Sequence, residues 1–372
     1  MKKWTLGLMS GTSMDGIDVA VLQTDGIKIF EQGPTLFVPY DEDFKQDLQS
    51  ILGAKNKTTT IQIIEEHLTH LHYKSIVTFL NQYAISPADI DLIGFHGHTI
   101  LHQSPKKHPK GRTWQIGNGY MLANLLEIPV VTEFRDNDIK NGGEGAPLVP
   151  IFHQALCQNL PKPLAILNIG GIANITYIDD KNLIAFDTGP GNALLDQWMY
   201  DHTKEFYDKN GEKTLQGKGH KDWITKWMNH PFFALTPPKS LDRLDFQELP
   251  LGLSLEDGLA TLAALTTQCV MEGLKFLPQK PLALYVAGGG RHNQGLMNNL
   301  RLIDPSFRVD PIDVLGFSSD FLEAQAFAYL AKRSIQNLPL TFPTTTGVKK
   351  PLIGGILYYP KNAPSQDKKT PV

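Results

Sequence analysis

The stretch Trp4 to Gln23, WTLGLMSGTSMDGIDVAVLQ, decides how the rest of the chain is read. Trp4 to Met9 and Ile17 to Gln23 have the apolar and β-branched content of strands, and the Gly, Ser, Thr and Asp residues between them have the content of a tight turn. A hairpin with a polar tip is therefore expected. Gly11 to Asp18, in full Gly11, Thr12, Ser13, Met14, Asp15, Gly16, Ile17 and Asp18, offers backbone N–H groups to phosphate oxygens. The carboxylates of Asp15 and Asp18 are candidate Mg²⁺ ligands. The GxxxxGK spacing and its lysine are missing, so this is not a Walker-type loop. An ordinary polar hairpin tip explains the same residues.

Outward from there, Ile61 to Tyr83 has apolar residues at helical spacing, and Leu92 to Phe95 is a short buried strand leading to His96. A second hairpin is expected at Ala165 to Ile178, where AILNI meets Gly170 and Gly171 and continues as IANITYI. It repeats the opening pattern, as an approximate internal duplication would. Asn168, Gly170 and Gly171 thus make a second candidate phosphate-facing turn, although a hairpin that merely permits glycine reads the same way. Leu183 to Phe186 is a strand ending at FDTGPGN, which turns Asp187 toward a cleft at a strand's carboxyl end, the place for a general base. A turn or capping aspartate is the plain alternative. Asn192 is placed to cap a helix over Ala193 to Tyr200.

The strand Leu282 to Ala287 runs into Gly288, Gly289 and Gly290, whose missing side chains would admit a nucleoside close to the backbone. The dinucleotide spacing GxGxxG does not fit them, and a strand-to-helix loop remains an alternative. HGHT at His96 to Thr99, with Gln115 in WQIGN, supplies neutral donors and acceptors suited to sugar hydroxyls. No histidine-rich metal spacing accompanies it. FRDNDIKNGGEGAPLVP, Phe134 to Pro150, could carry a substrate-contacting Arg135 and Asp138 or serve as a solvated hinge. Glu323 opens the buried-helix pattern EAQAFAYLA, either for its place near a helix start or for a sugar contact.

At 372 residues the chain has room for two domains, and a cleft between them is available for small molecules. Its 41% hydrophobic and 20% charged content is globular. With 35 basic against 38 acidic residues it has no electrostatic grip on nucleic acid or an anionic membrane. Cys157 and Cys269 form no CxxC pair, which argues against zinc, redox and disulfide-scaffold classes and for a reduced, cytoplasmic setting. The apolar run from Trp4 to Met9 stops too early for a secretory signal, and no stretch is long enough to span a bilayer. The tail from Asn362 to Val372 has the composition of a disordered end.

Taken jointly, MSGTSMDGID, GFHGHTI, FRDNDIKNGGEGAPLVP, LNIGGIANIT, FDTGPGN, VAGGGRHN and EAQAFAYLA resemble, in order and spacing, the motifs of anhydro-N-acetylmuramic acid kinases over nearly the whole chain. The resemblance implies an α/β protein of two ribonuclease-H-like, actin-like ATPase domains with ATP and sugar in the interdomain cleft. The expected domains are 1–134 with a return at about 352–372, and 135–351. By resemblance Gly11 to Asp18 hold the triphosphate and Mg²⁺, Gly288 to Gly290 approach the nucleoside, and Asp187 is the base. His96, Thr99, Gln115, Arg135 and Glu323 face the sugar, and a homodimer is admitted.

The implied reaction opens the 1,6-anhydro bridge with water while the 6-oxygen takes the γ-phosphoryl group, giving N-acetylmuramic acid 6-phosphate and ADP in cell-wall recycling. Leu241, Asp242 and Leu244 stand where such kinases commonly carry Thr, Gly and Glu, whereas Lys239, Ser240 and Arg243 agree with the pattern. His98 and Glu144 stand where glutamine is frequent. Another sugar or carboxylate kinase of the same superfamily, or an ATP-gated binding protein, are the alternatives.

Overall fold

A computed structural model describes residues 3–11, 13–105, 108, 111–241, 245–246, 248–304, 306 and 308–363. Thr12, Asp242, Arg243, Leu244 and the tail 364–372 lie outside the described residues. The chain forms two compact units, one up to residue 156 together with the part from 321 onward, the other from 157 to 320.

The sheet of the first unit is built from β1 (Trp4–Ser10), β2 (Gly16–Thr24), β3 (Ile29–Pro39), β4 (Ile90–Gln103), β5 (Arg112–Ile116), β6 (Val130–Thr132) and β12 (Ile356–Tyr358). Its order is β12-β6-β4-β1-β2-β3, with β5 paired to β4. The opening hairpin forms as expected, with Leu6 opposite Val21 and Leu8 opposite Val19. Every β1 residue after Trp4 is buried, which suits a central strand covered on both faces. β4 runs parallel to β1 and is longer than the four residues expected, because the polar run His96 to His98 stays in the sheet between β1 and β5.

The helices of this unit are α1 (Glu42–Ser50), α2 (Thr59–Gln82), α3 (Gly119–Leu126), α4 (Asp136–Lys140), α5 (Pro150–Leu156) and α11 (Leu322–Ile335). α2 starts where the Thr58 hydroxyl accepts from the N–H of Ile61. Its Ile64, Leu68 and Phe79 join Leu6, Val19 and Phe95 in one core. α11 packs on β1, β2 and β4. It comes so close that a Cβ on Gly7 would lie 1.8 Å from the Ala324 carbonyl oxygen, and one on Gly94 2.1 Å from that of Phe327.

The second unit has β7 (Leu164–Ile169), β8 (Ile172–Ile178), β9 (Leu183–Pro190), β10 (Ala283–Ala287) and β11 (Arg308–Pro311) in the order β11-β10-β7-β8-β9. β7, β8 and β9 pair antiparallel, whereas β10 is parallel to β7 and to β11. In the first unit β6-β4-β1-β2-β3 has the same order and directions. Both units therefore carry the ribonuclease-H-like arrangement, and the duplication read from the two hairpins is present in topology. α6 (Asn192–Thr203), α7 (Glu212–Gln216), α8 (Lys221–Met228), α9 (Leu255–Leu274) and α10 (Gln294–Arg301) complete this unit. Leu167, Phe186, Trp198, Leu262, Val286 and Leu296 form its core.

Three expectations change. The units part at 156/157 and 320/321 instead of 134/135 and 351/352, because α11 covers the first sheet and α5 packs against α11. Asp187 lies inside β9, opposite Asn174, since the strand continues through Pro190. Gly191, not Asn192, is the N-cap of α6, and no side chain caps it. Among the described residues no helix is long and apolar enough to cross a membrane.

Candidate active site

In the first unit the tip between β1 and β2 is closed by the N–H of Met14 donating to the Gly11 carbonyl at 3.1 Å, with Met14 at a φ of +56°. The Ser13 hydroxyl donates to Asp15 Oδ1 at 2.7 Å. Ser13 and Asp15 are exposed, Asp18 is half-buried, and Gly16 and Ile17 are buried. Ile17 belongs to the hydrophobic core, so only its backbone can serve a ligand. A Cβ on Gly16 would meet the Val38 carbonyl oxygen at 2.3 Å, which ties that glycine to strand packing. On Gly11 the nearest atom would be Ser13 Oγ at 3.5 Å, so the chain itself does not require glycine there.

No group of three or more His, Cys, Asp or Glu among the described residues could hold a metal. A cation that takes one or two carboxylates and completes its shell with phosphate oxygens and water, as Mg²⁺ does, fits the donor set of Asp15 and Asp18.

The sugar candidates on β4 and β5 form two groups. Thr99 lies opposite Gln115, whose side-chain amide donates to Thr99 Oγ1 at 3.1 Å and to Thr113 Oγ1 at 2.7 Å. His96 is 3% exposed; its Nδ1 lies 2.9 Å from the Gly97 carbonyl oxygen, and its Nε2 accepts from Arg135 Nε at 3.1 Å. That pattern assigns the proton to Nδ1 and a neutral ring. Burial, and then the charge of Arg135, hold its pKa well below the usual histidine value.

Arg135 Nη1 donates to the Gly145 carbonyl at 2.8 Å. The ring of His96 packs 4.5 Å from that of Phe327 on α11, one turn beyond Glu323. Glu323 is open to water, yet surrounding protein raises its carboxyl pKa, opposed by the charge of Arg135. The fold therefore brings His96, Arg135 and Glu323 together. Asp138 is turned inward instead: Oδ1 accepts from the Gly145 N–H at 2.7 Å and Oδ2 from the Thr346 hydroxyl at 2.6 Å. Its carboxyl pKa is raised by burial. Glu144 is likewise buried and accepts from the Ser104 hydroxyl.

In the second unit β7 ends at Asn168 and Ile169, and the Gly170–Gly171 turn faces the start of α6. The N–H of Asn192 donates to the Gly170 carbonyl at 2.7 Å, and that of Gly191 to Gly171 at 2.9 Å. The side chain of Asn192, freed from capping, donates to the Ile169 carbonyl at 3.2 Å. Among the described residues beyond its chain neighbours, a Cβ on Gly170 would come no nearer than 3.7 Å to any atom, and one on Gly171 no nearer than 3.6 Å. Gly288 and Gly290 differ: their Cβ atoms would meet Asn168 Oδ1 at 2.5 Å and Ile169 Cγ2 at 2.4 Å, whereas Gly289 is exposed.

Gly288, at a φ of +76°, is held on both sides. Its N–H donates to Ser319 Oγ at 3.1 Å, and its carbonyl accepts from Arg291 Nη1 at 3.0 Å. Arg291 is itself buried and paired with Asp313 and Asp320, each at 2.9 Å. No spacing pattern in the sequence singles out Arg291 or Ser319.

Asp187 is half-buried in β9. Its N–H donates to the Lys239 carbonyl at 3.0 Å, and its Oδ2 accepts from the N–H of Leu241 at 2.7 Å. Because the backbone of Leu241 makes this bond, leucine at that position leaves it intact. Lys239 is 5% exposed. Its ammonium lies 4.5 Å from the ring centre of Phe232 and 4.9 Å from that of Phe276, and donates to the Phe232 carbonyl at 3.3 Å. Burial lowers its pKa, and the charges of Asp187 and Glu272 oppose the shift.

A family model described as anhydro-N-acetylmuramic acid kinase matches residues 3–360. The anhydro-N-acetylmuramic acid kinase of Paramagnetospirillum magneticum is 45% identical over 360 residues, covering 95% of this chain and 99% of that protein. The corresponding protein of Rhodopseudomonas palustris is 42% identical, with 97% and 100% covered. Among solved structures, the activator of 2-hydroxyisocaproyl-CoA dehydratase from Clostridium difficile aligns with a TM-score of 0.45 at 12% identity, covering 90% of this chain and 96% of that one.

Proposed function

We propose, for a chain that belongs to the anhydro-N-acetylmuramic acid kinase family, that it opens 1,6-anhydro-N-acetylmuramic acid with water and phosphorylates the 6-oxygen from ATP. The products are N-acetylmuramic acid 6-phosphate and ADP, and the role is recycling of cell-wall sugar in the cytoplasm. Asp187 takes a proton from water as its oxygen bonds to the anomeric carbon. The bond from that carbon to the 6-oxygen breaks, and its electron pair goes to the 6-oxygen. That oxygen forms the new bond to the γ-phosphorus while ADP leaves.

The observation that carries this reading is the fixed carboxylate of Asp187. Oδ2 is held by the Leu241 N–H, and the loop making that bond is pinned by the buried Lys239 ammonium. Gly11 and the Gly170–Gly171 turn have open space above them for phosphate oxygens, which the missing side chains keep clear. Asn168 belongs with Gly170 and Gly171 on the phosphate side, and the Gly288, Gly289 and Gly290 turn takes the nucleoside side of ATP. Mg²⁺, held by Asp15 and Asp18, would offset phosphate charge. His96, Thr99, Gln115, Arg135 and Glu323 recognise the sugar. Arg135 supplies fixed positive charge, neutral His96 a hydrogen-bonding ring, and Glu323 an acceptor. Asp138 holds the loop behind them.

Asp187→Asn keeps the shape and removes the base. It should lower kcat by about 10²- to 10⁴-fold while the ATP dissociation constant, read by calorimetry, is unchanged. Near-normal turnover would remove Asp187 as the base.

A further inference from the structure

Tyr40, the residue after β3, touches both ends of the Gly11 to Asp15 turn. Its backbone N–H donates to the Asp15 carbonyl at 3.0 Å, and its hydroxyl donates to Ser10 Oγ at 2.8 Å. Ser10 in turn lies 3.0 Å from Nδ1 of His98, its neighbour in the parallel β1–β4 pair. With the tyrosine proton given to Ser10, the serine proton goes to His98 Nδ1, and the imidazole keeps its own proton on Nε2. All three groups are closed off from water, with Tyr40 6%, Ser10 1% and His98 0% exposed. His98 Nε2 is buried without a hydrogen-bond partner, so the chain of bonds ends there. Burial holds the ring neutral, with its pKa lowered to about 4. The ring of Tyr40 is itself fixed edge-on against Phe44 of α1, with centroids 4.9 Å apart.

We infer that Tyr40 is a positioning residue for phosphoryl-donor binding, acting through Ser10 and the Asp15 carbonyl to hold the turn with its N–H groups preset. A short turn of this kind has many backbone states in solution, and ordering it only when ATP arrives would weaken binding. Tyr40 removes that freedom from both flanks at once, and the buried contact with His98 behind Ser10 holds the serine in place. The inference rests on the reading of Gly11 to Asp18 as the triphosphate site. Nothing in the sequence marks Tyr40, because it is 25 residues beyond Asp15 and belongs to no motif.

The test compares steady-state kinetics of Tyr40→Phe, Ser10→Ala, the double variant and Asp15→Asn with the parent enzyme. Tyr40→Phe keeps the ring and removes only the hydroxyl, leaving a buried serine short of a donor, a loss on the order of tenfold in equilibrium terms. We expect KM for ATP to rise about tenfold with kcat and the sugar KM unchanged. The double variant should be no worse than Ser10→Ala alone, since that substitution already breaks the bond to Tyr40. Equal loss for both substrates, or additive effects of the two substitutions, would reduce Tyr40 to a structural role and overturn the inference. If Asp15→Asn raises KM for ATP and Tyr40→Phe does not, the inference alone fails. If neither does, the triphosphate reading fails and takes the inference with it. Should Tyr40→Phe not fold, Ser10→Ala, which removes the partner of the tyrosine hydroxyl, takes its place, and an unchanged KM for ATP there would overturn the inference.

Discussion

Glycine at position 170 has no steric cause among the described residues, since a Cβ there would come no nearer than 3.7 Å to any of their atoms beyond its chain neighbours, and it takes no left-handed conformation. The same holds for Gly11 and Gly171, and all three stand in turns assigned to phosphate. Gly288 and Gly290, by contrast, are required by contact with Asn168 and Ile169. Gly170→Ala should therefore fold with an unchanged melting temperature and raise KM for ATP about tenfold, a loss near 1.4 kcal/mol. An unchanged KM would show that the space above this turn is not used by the donor. Single residues of this kind are legible in a sequence as motifs, but their reasons are not. The run AGGGRHN reads as one glycine loop, yet in the fold two of its glycines serve packing and its arginine clamps a carbonyl.

At the scale of elements, α11 depends on glycine for a different reason. Gly7 on β1 and Gly94 on β4 let the helix backbone settle directly on the sheet, with its alanines inward. Gly94→Ala would drive a methyl group into the Phe327 carbonyl and should destabilise the fold by about 1–3 kcal/mol, as overpacking does. The denaturation midpoint reads this directly, and an unshifted midpoint would contradict the close approach. Because Glu323 and Phe327 ride on α11, the sugar KM should rise in the same variant.

Both hairpins are readable in the sequence, since apolar, β-branched runs flanking Gly-rich turns depend on local spacing alone. The length of β4 was not, because His96 and His98 are polar and stay in the strand only by virtue of β1 and β5 on either side. For the same reason Asp187 looks like a strand end in sequence and lies within β9 in the fold, where β8 lends it a partner. Asn192 resembles a cap, but its side chain is taken by the Ile169 carbonyl, which no local pattern reveals.

At the scale of the whole molecule, buried histidines concentrate in the first unit. Burial lowers the pKa of His72 and His98 to about 4 and that of His153 to about 3, against an ordinary value of 6.5. A group held below its unfolded pKa contributes its full stability above pH 6.5 and loses it as pH falls toward the folded value, because the unfolded chain takes up protons first. At pH 5 each of these rings should cost on the order of 2 kcal/mol. Asp138 and Glu323, whose carboxyls are raised, act in the opposite sense over the lower, carboxylate range. Denaturant unfolding at pH 7 and pH 5 should show a marked loss at the lower pH. Equal stability at the two values would mean that these rings are hydrated in solution.

The central claim is that one enzyme couples hydrolysis of the anhydro bridge to phosphoryl transfer, with water as the nucleophile at carbon. Reaction of the anhydro sugar and ATP in water enriched in heavy oxygen, followed by mass spectrometry of the sugar phosphate, tests it most directly. The account predicts one heavy oxygen at the anomeric position and none in the phosphoryl group. Activity confined to the ring-opened sugar, or product without anomeric label, would contradict it.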